Sequence, residues 1–425
     1  MISKSTPYLY PNGDKYTGPM KDGIKEGCGE YYYQSGDIYT GEFLNDQPEG
    51  SGIYQYKNGD KYEGTFVQGL FSGKGTYLYD KSKSKYIGEF QNGKKHGFGT
   101  FIYEDSEKYV GQWLNGLKHG EGTYYYKSGE KYEGSWLLDD KSGRGKLFIP
   151  GAMITGYWLG GFLQEKVKIE YQNSYIYIGD YKNGQRDGYG ELTMNKGVYK
   201  GHWKGNMQDG KGEMFYADGS KYEGDWINGK IHGVGSYIFA NGDSYSGQFV
   251  NEILEGEGIY TYKNGEQYSG QWKAGMQDGK GIFIHANGVI YNGIWKEGKK
   301  NGKGVLQYVN KDIYDGEFVN GKKEGLGTYY YSENGGKYVG SWKNDLQNEK
   351  GVFIYENGDI YEGNWINGVQ EGYGEMKFAN NDFYQGEWKE KKPHGKGKYR
   401  FANGDYYEGD WSQGLQDGKG KYVFV

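Results

Sequence analysis

The stretch Tyr109-Val110-Gly111-Gln112-Trp113-Leu114-Asn115-Gly116-Leu117-Lys118-His119-Gly120-Glu121-Gly122-Thr123-Tyr124-Tyr125-Tyr126 decides the fold. Counted from Tyr109 as offset 0, aromatic residues fall at 0, 4 and 15 to 17, and glycines at 2, 7, 11 and 13. Offsets 0, 2 and 4 share one face of a strand, and 11, 13, 15 and 17 share one face of a second, because successive side chains in a strand alternate sides. A large ring needs somewhere to lie, and a residue without Cβ leaves a slot over its backbone. Glycine weakens a strand intrinsically but here admits the neighbouring ring. The stretch reads as a β-hairpin with one aromatic face, its strands joined by the loop Leu114 to His119.

The pattern recurs along the chain. Units start at Tyr16, Tyr39, Tyr62, Tyr86, Tyr109, Tyr132, Ile154, Tyr177, Tyr199, Tyr222, Tyr245, Tyr268, Tyr291, Tyr314, Tyr338, Tyr361, Tyr384 and Tyr407, mostly 23 residues apart with a few intervals of 22 or 24. All 11 tryptophans occupy offset 4, from Trp113 to Trp411. Between units the sequence offers tight turns such as Asn58-Gly59 and Asn241-Gly242, the strongest short hairpin signal. Outward positions such as Glu63, Thr65 and Gln112 are mostly polar, so the second face is expected to meet solvent. No hairpin of this kind buries its rings alone; stacked neighbours supply the missing surface. The expected fold is all-β: an elongated, single-layer antiparallel array of about 18 hairpins over residues 16–425, preceded by a lead-in strand over 1–15. At ~4.8 Å per strand the contour is on the order of 170 Å before twist shortens it.

Composition agrees. Of 425 residues, 79 are Gly and 48 Tyr, only 35% are hydrophobic and 6 are Pro. Glycine is too sparse for collagen, and 18% aromatics is too rich for a disordered tail. A net charge of −5 gives no global pull toward nucleic acid, which is not expected as a partner. No apolar run marks a signal peptide between Met1 and Tyr10, and no 18-residue apolar window suggests a membrane helix. The single Cys28 fits a reducing, cytoplasmic setting.

The run Tyr-x-Gly-x-Trp-x-x-Gly-x-x-x-Gly-x-Gly, as in Tyr109 to Gly122, resembles the MORN repeat, the membrane occupation and recognition nexus, and the resemblance covers Tyr16 to Val425. Similar arrays occur in junctophilins, plant phosphatidylinositol phosphate kinases, a SET-domain methyltransferase, apicomplexan cytoskeletal proteins and ciliary radial spoke heads. Array-only members are chiefly cytoskeletal scaffolds. The resemblance thus implies a non-enzymatic structural scaffold and interaction platform of cilia or cytoskeleton, with a radial spoke head of the axoneme as the particular expectation. Its partners would be other proteins of a large assembly. The alternative is a peripheral phosphoinositide-binding adaptor tethering membrane to cytoskeleton.

No catalytic or cofactor constellation emerges from the residues themselves. The Gly-x-Gly copies open no helix after a parallel strand, which a phosphate loop requires. His96, His119, His232 and His394 all occupy offset 10, read as a polar loop position rather than a metal site, because other units place acids, amides or serine there. One polar feature does recur: the lysine pairs Lys94-Lys95, Lys299-Lys300, Lys322-Lys323 and Lys391-Lys392, around offsets 8 and 9. Stacking is expected to align them along one edge, either solvated to discourage strand pairing or facing an anionic partner. The segment 139–178 is irregular, with Ile154 as a start and Glu165-Lys166-Val167 where Gly-x-Gly belongs, so the stack is expected to bend or splay there. A milder lapse puts Glu349 in a glycine position. At the far end, Tyr422-Val423-Phe424-Val425 forms an apolar last strand, whose Tyr422 and Phe424 mark an edge open to self-association.

Overall fold

The computed structural model describes residues 6–425; the first five residues of the expected lead-in lie outside the described residues. The chain forms two compact units, up to Met207 and Gln208–Val425, and both are built from antiparallel β-hairpins, with no helix among the described residues.

In the first unit the paired strands Lys108–Leu114 and Leu117–Tyr125 show the construction. Tyr109 is fully buried, and its ring lies flat over two glycines, Gly111 on its own strand and Gly122 on the next. A Cβ on Gly122 would stand 2.5 Å from the Tyr109 Cε2 and Cζ, so only glycine leaves room for the ring. The ladder shifts between Gly111 and Trp113: Gly111 faces Gly122, whereas Trp113 faces Lys118. This bulge frees the Gln112 carbonyl, which accepts the Tyr109 hydroxyl at 2.9 Å. The Trp113 indole Nε1–H donates to the Gly99 carbonyl of the preceding unit at 3.2 Å, and the indole meets the Tyr86 and Tyr109 rings edge-on at 5.3 and 5.1 Å. Each ring is thus held by two successive hairpins, which is why burial needs the stack.

In the second unit, Gln267–Lys273 and Met276–Ile284 repeat the arrangement, with Tyr268 fully buried, its hydroxyl on the Gln271 carbonyl at 2.8 Å, and Trp272 Nε1–H on the Gly258 carbonyl at 3.2 Å.

Two connections exchange the lengths expected of them. The segment Leu114 to His119 is no loop: Asn115 and Gly116, with φ of 51° and 95°, form a two-residue turn between paired Leu114 and Leu117. Both residues with φ > 0 define the hairpin turn that matches strand twist. The Asn-Gly between units does something else. Gly59 N–H donates to the Tyr56 carbonyl at 3.0 Å and Tyr56 N–H to the Asp60 carbonyl at 2.9 Å, and only Gly59 (φ 96°), not Asn58, has positive φ. The chain makes a wider turn with glycine in its closing left-handed position.

The first glycine of Gly-x-Gly is likewise not a ring slot. Gly120 has φ 62°, and a Cβ there would meet the Gln112 side chain rather than a ring. It is the left-handed residue of the bulge. Where Glu349 replaces it, the backbone keeps the conformation, at φ 60°.

The irregular segment stays paired instead of splaying. Ala152–Leu159 pairs with Phe162–Leu163 and then with Lys166–Tyr171, which pairs onward with Ile176–Lys182. With Ile154 in place of tyrosine there is no flat ring to seat, so Val167 occupies a glycine's place, and Ile154, Val167 and Ile169 pack as a buried aliphatic patch. The outer face is less polar than expected: Phe98, Tyr189 and Leu326, all at offset 12, are 57%, 54% and 67% exposed.

Candidate functional site

Above the buried tyrosines and tryptophans, most of the rings at offsets 15 and 17 are half-buried, and they form a row along the aromatic face. In the first unit Tyr77, Tyr79, Phe101, Tyr103, Tyr124 and Tyr126 follow one another with centroid separations of 4.4, 5.7, 4.6, 5.9 and 4.7 Å. Aliphatic Leu147, Ile149 and Ile169 take these offsets in the irregular segment and beside it. In the second unit Tyr329, Tyr331, Phe353 and Tyr355 make the same row at 4.5, 5.5 and 4.5 Å. There the face deepens into a depression of about 530 Å³ lined by Tyr331, Gln347, Phe353, Tyr355, Trp365 and Gln370 among others. Gln347 and Gln370 Nε2 donate to the Tyr331 and Tyr355 hydroxyls at 3.0 and 2.9 Å.

The row is fastened by acids that stand two residues before many of the unit starts, among them Asp37, Asp243 and Asp382. Asp37 takes the Tyr54 hydroxyl at 3.1 Å and the Lys57 backbone N–H at 2.8 Å; Asp243 takes the Tyr260 hydroxyl, the Lys263 N–H and the Asn241 amide, each at 2.8 Å. Each acid therefore ties one turn to the ring and turn of the following hairpin. The hydrogen bond from Tyr399, with those from Asn380 and the Ala402 N–H, holds the Asp382 carboxyl below the usual carboxylate range. The sequence reading took Asn58-Gly59 for a turn alone; the signal it missed was Asp60, an acid that recurs one residue after the glycine in many units.

The lysine pairs do not line one edge. Lys94, Lys299 and Lys322 are exposed, whereas Lys95, Lys300 and Lys323 turn to the aromatic face. Lys95 Nζ lies 4.0 Å from the Trp113 ring centre and 4.6 Å from Phe101, and Lys323 Nζ 4.5 Å from Trp342. Burial lowers the Lys95 pKa to about 8 and shifts Lys300 and Lys323 downward as well. The physical cause is the two-residue turn: it pairs offset 4 with offset 9, so a lysine at 9 covers the tryptophan face and its neighbour at 8 points away. Lys391 sits in its turn at φ 66°, Lys392 is exposed, and Pro393 takes the covering position.

The histidines lie within strands beside the bulge, not in loops; the Nδ1 atoms of His96, His119 and His394 are buried without a hydrogen-bond partner. Among the described residues no three potential metal ligands converge. The last strand, Leu415–Val423, is exposed along most of its length, with Tyr422 at 42% and Phe424 at 77%, and the two rings continue the row at 4.6 Å.

An array of slotted tyrosines and stacked hairpins defines a repeat protein. The MORN repeat model matches seventeen segments, 16–38, 39–61, 62–82, 86–108, 109–131, 132–151, 177–198, 199–221, 222–244, 245–267, 268–290, 291–313, 314–335, 338–360, 361–383, 384–406 and 407–425, and the chain belongs to the MORN-repeat family. The unmatched unit is the one that starts at Ile154. No curated protein matches the chain. Among solved structures it is similar to the TCP domain of SAS-4 from Drosophila melanogaster, in complex with a proline-rich motif of Ana2, at 17% identity over 40% of this chain and 90% of that one, with a TM-score of 0.24. It is also similar to a mutant TCP10 domain of CPAP from Danio rerio, at 10% identity over 61% and 95%, with a TM-score of 0.19. At such scores these likenesses carry no argument about function. The family supports a structural or protein-interaction role.

Proposed function

We propose that the protein is a non-enzymatic scaffold of a cytoplasmic cytoskeletal assembly, in the setting of cilia, with a radial spoke head of the axoneme as its particular place. Its partners are the other proteins of that assembly. The observation that carries the reading is the half-buried row of rings, exemplified by Tyr77 to Tyr126: an apolar strip fixed by acid-to-ring hydrogen bonds is a ready surface for another chain. The exposed Tyr422 and Phe424 extend the row and are proposed as a self-association patch. Cell fractionation tests the proposal. A pool that resists salt and detergent and sediments with axonemes or cytoskeleton is expected. A pool released by detergent with membranes would favour the phosphoinositide-binding adaptor instead.

A further inference from the structure

Three successive hairpins of the first unit place a cation in the covering position at offset 9: Lys95, Lys118 and Lys141. Each is half-buried on the aromatic face, where Lys118 Nζ stands 4.7 Å from the Trp136 ring centre and Lys141 Nζ 5.2 Å from Tyr126. Two strand spacings separate one hairpin from the next, so the ammonium groups follow one another at ~10 Å. None of the three is in an ion pair among the described residues, although many other lysines are, such as Lys131 with Glu133. The nearby carboxylates are engaged elsewhere: Asp139 Oδ1 accepts the Lys118 backbone N–H at 2.9 Å, and Glu107 accepts the Tyr124 hydroxyl at 2.5 Å and the Lys127 N–H at 3.1 Å. Asp139, Asp140 and Glu130 reach the row only through longer-range charge interactions. Three cations held in a row between half-buried rings, without carboxylate partners, form a stripe complementary to negative charge at the same spacing.

We propose that this stripe binds an acidic polypeptide segment whose carboxylates meet Lys95, Lys118 and Lys141 in turn, while apolar side chains between them cover Tyr103 and Tyr126. The inference rests on the scaffold reading and names the chemistry of one partner. A polypeptide fits better than a membrane surface because these lysines lie among rings on the strand face, whereas the exposed lysine of a pair, Lys94, points away. In polyproline-II conformation every third residue recurs at about 9.3 Å on one side, close to the hairpin spacing.

The test uses the full chain and a fluorescein-labelled peptide of repeated Glu-Pro-Leu, read by anisotropy, beside sedimentation with phosphatidylcholine–phosphatidylserine vesicles. Saturable, salt-sensitive peptide binding is expected. Replacing Lys95, Lys118 and Lys141 together by Gln should weaken it at least about tenfold, as expected of charge pairs in a partly dry groove. Glutamine already occupies this position at Gln277, Gln347 and Gln370, so the substitution suits the fold. Arginine at the three positions should retain binding, and Gln at the exposed Lys94, Lys299 and Lys322 should leave it within about twofold. The proposal is overturned if the peptide does not bind, if the exposed triple variant loses as much as the stripe variant, or if the stripe holds vesicles but not peptide. A failed fractionation with intact peptide binding would remove the cellular setting and leave the stripe standing.

Discussion

Replacing Trp272 by Ala probes the coupling between hairpins directly. The indole is 6% exposed, donates to the Gly258 carbonyl at 3.2 Å, and touches Tyr245 and Tyr268 edge-on at 5.5 and 5.1 Å and Tyr260 at 5.9 Å. Truncation leaves a ring-sized cavity and removes the indole's bond to the Gly258 carbonyl, together a loss of about 3–5 kcal/mol. Phenylalanine is a milder change, because Phe249 and Phe318 fill the same offset in other units. Trp272→Phe loses only the Nε1–H bond and the second ring, about 1–2 kcal/mol. At 1.4 kcal/mol per tenfold, hydrogen exchange by local opening should rise about a thousandfold for Ala and about tenfold for Phe. Mass spectrometry of the intact chain should find the increase in Ser244–Val250, Ile253–Thr261 and Met276–Ile284, with Lys337–Lys343 unchanged, since damage in a stack stays near its origin. Unaltered exchange in the flanking hairpins of the Ala variant, or equal effects of Phe and Ala, would refute the interlocked packing.

Glu349→Gly should stabilise its hairpin by about 1 kcal/mol, because Glu349 occupies a left-handed conformation (φ 60°) that glycine adopts freely; a lower melting temperature for the variant would contradict this. Acid should loosen the turn fastenings. Asp14 is lowered mainly by the Tyr31 hydroxyl, Asp243 by the Lys263 N–H and Asp382 by the Tyr399 hydroxyl. A depressed carboxylate stabilises the folded state above its unfolded pKa, and that contribution is lost as pH falls through the folded value. Urea midpoints should therefore hold steady from neutral pH to about 5 and drop below about 4, and Asp382→Asn should make exchange near Ala402 less sensitive to acid; a midpoint rising on acidification would contradict the sign.

The period, the ring ladder and the slot role of Gly111 and Gly122 were legible in the sequence because each depends on side-chain size at fixed parity. The exchange of turn types was not, since an Asn-Gly pair can close either a two-residue hairpin or a wider turn, and only φ at Asn115 and Asn58 separates them. That miss propagated: with Leu114 to His119 taken for a loop, the pairing of Trp113 with Lys118 stayed hidden, and with it the lysines on the aromatic face. Val167 in a glycine place looked like a defect because the compensating change, Ile154 for tyrosine, acts across the strand pair.

On the proposed reading the aromatic face, not the outer one, receives partner chains. Hydroxyl-radical footprinting of the free protein against the cytoskeleton-bound pool tests it most directly. Tyr103, Tyr126, Tyr331 and Tyr355 should be protected in the bound pool, while Phe98, Tyr189 and Leu326 on the outer face keep the reactivity of the free protein. Protection of Phe98, Tyr189 and Leu326 with unchanged labelling of the row tyrosines would contradict it.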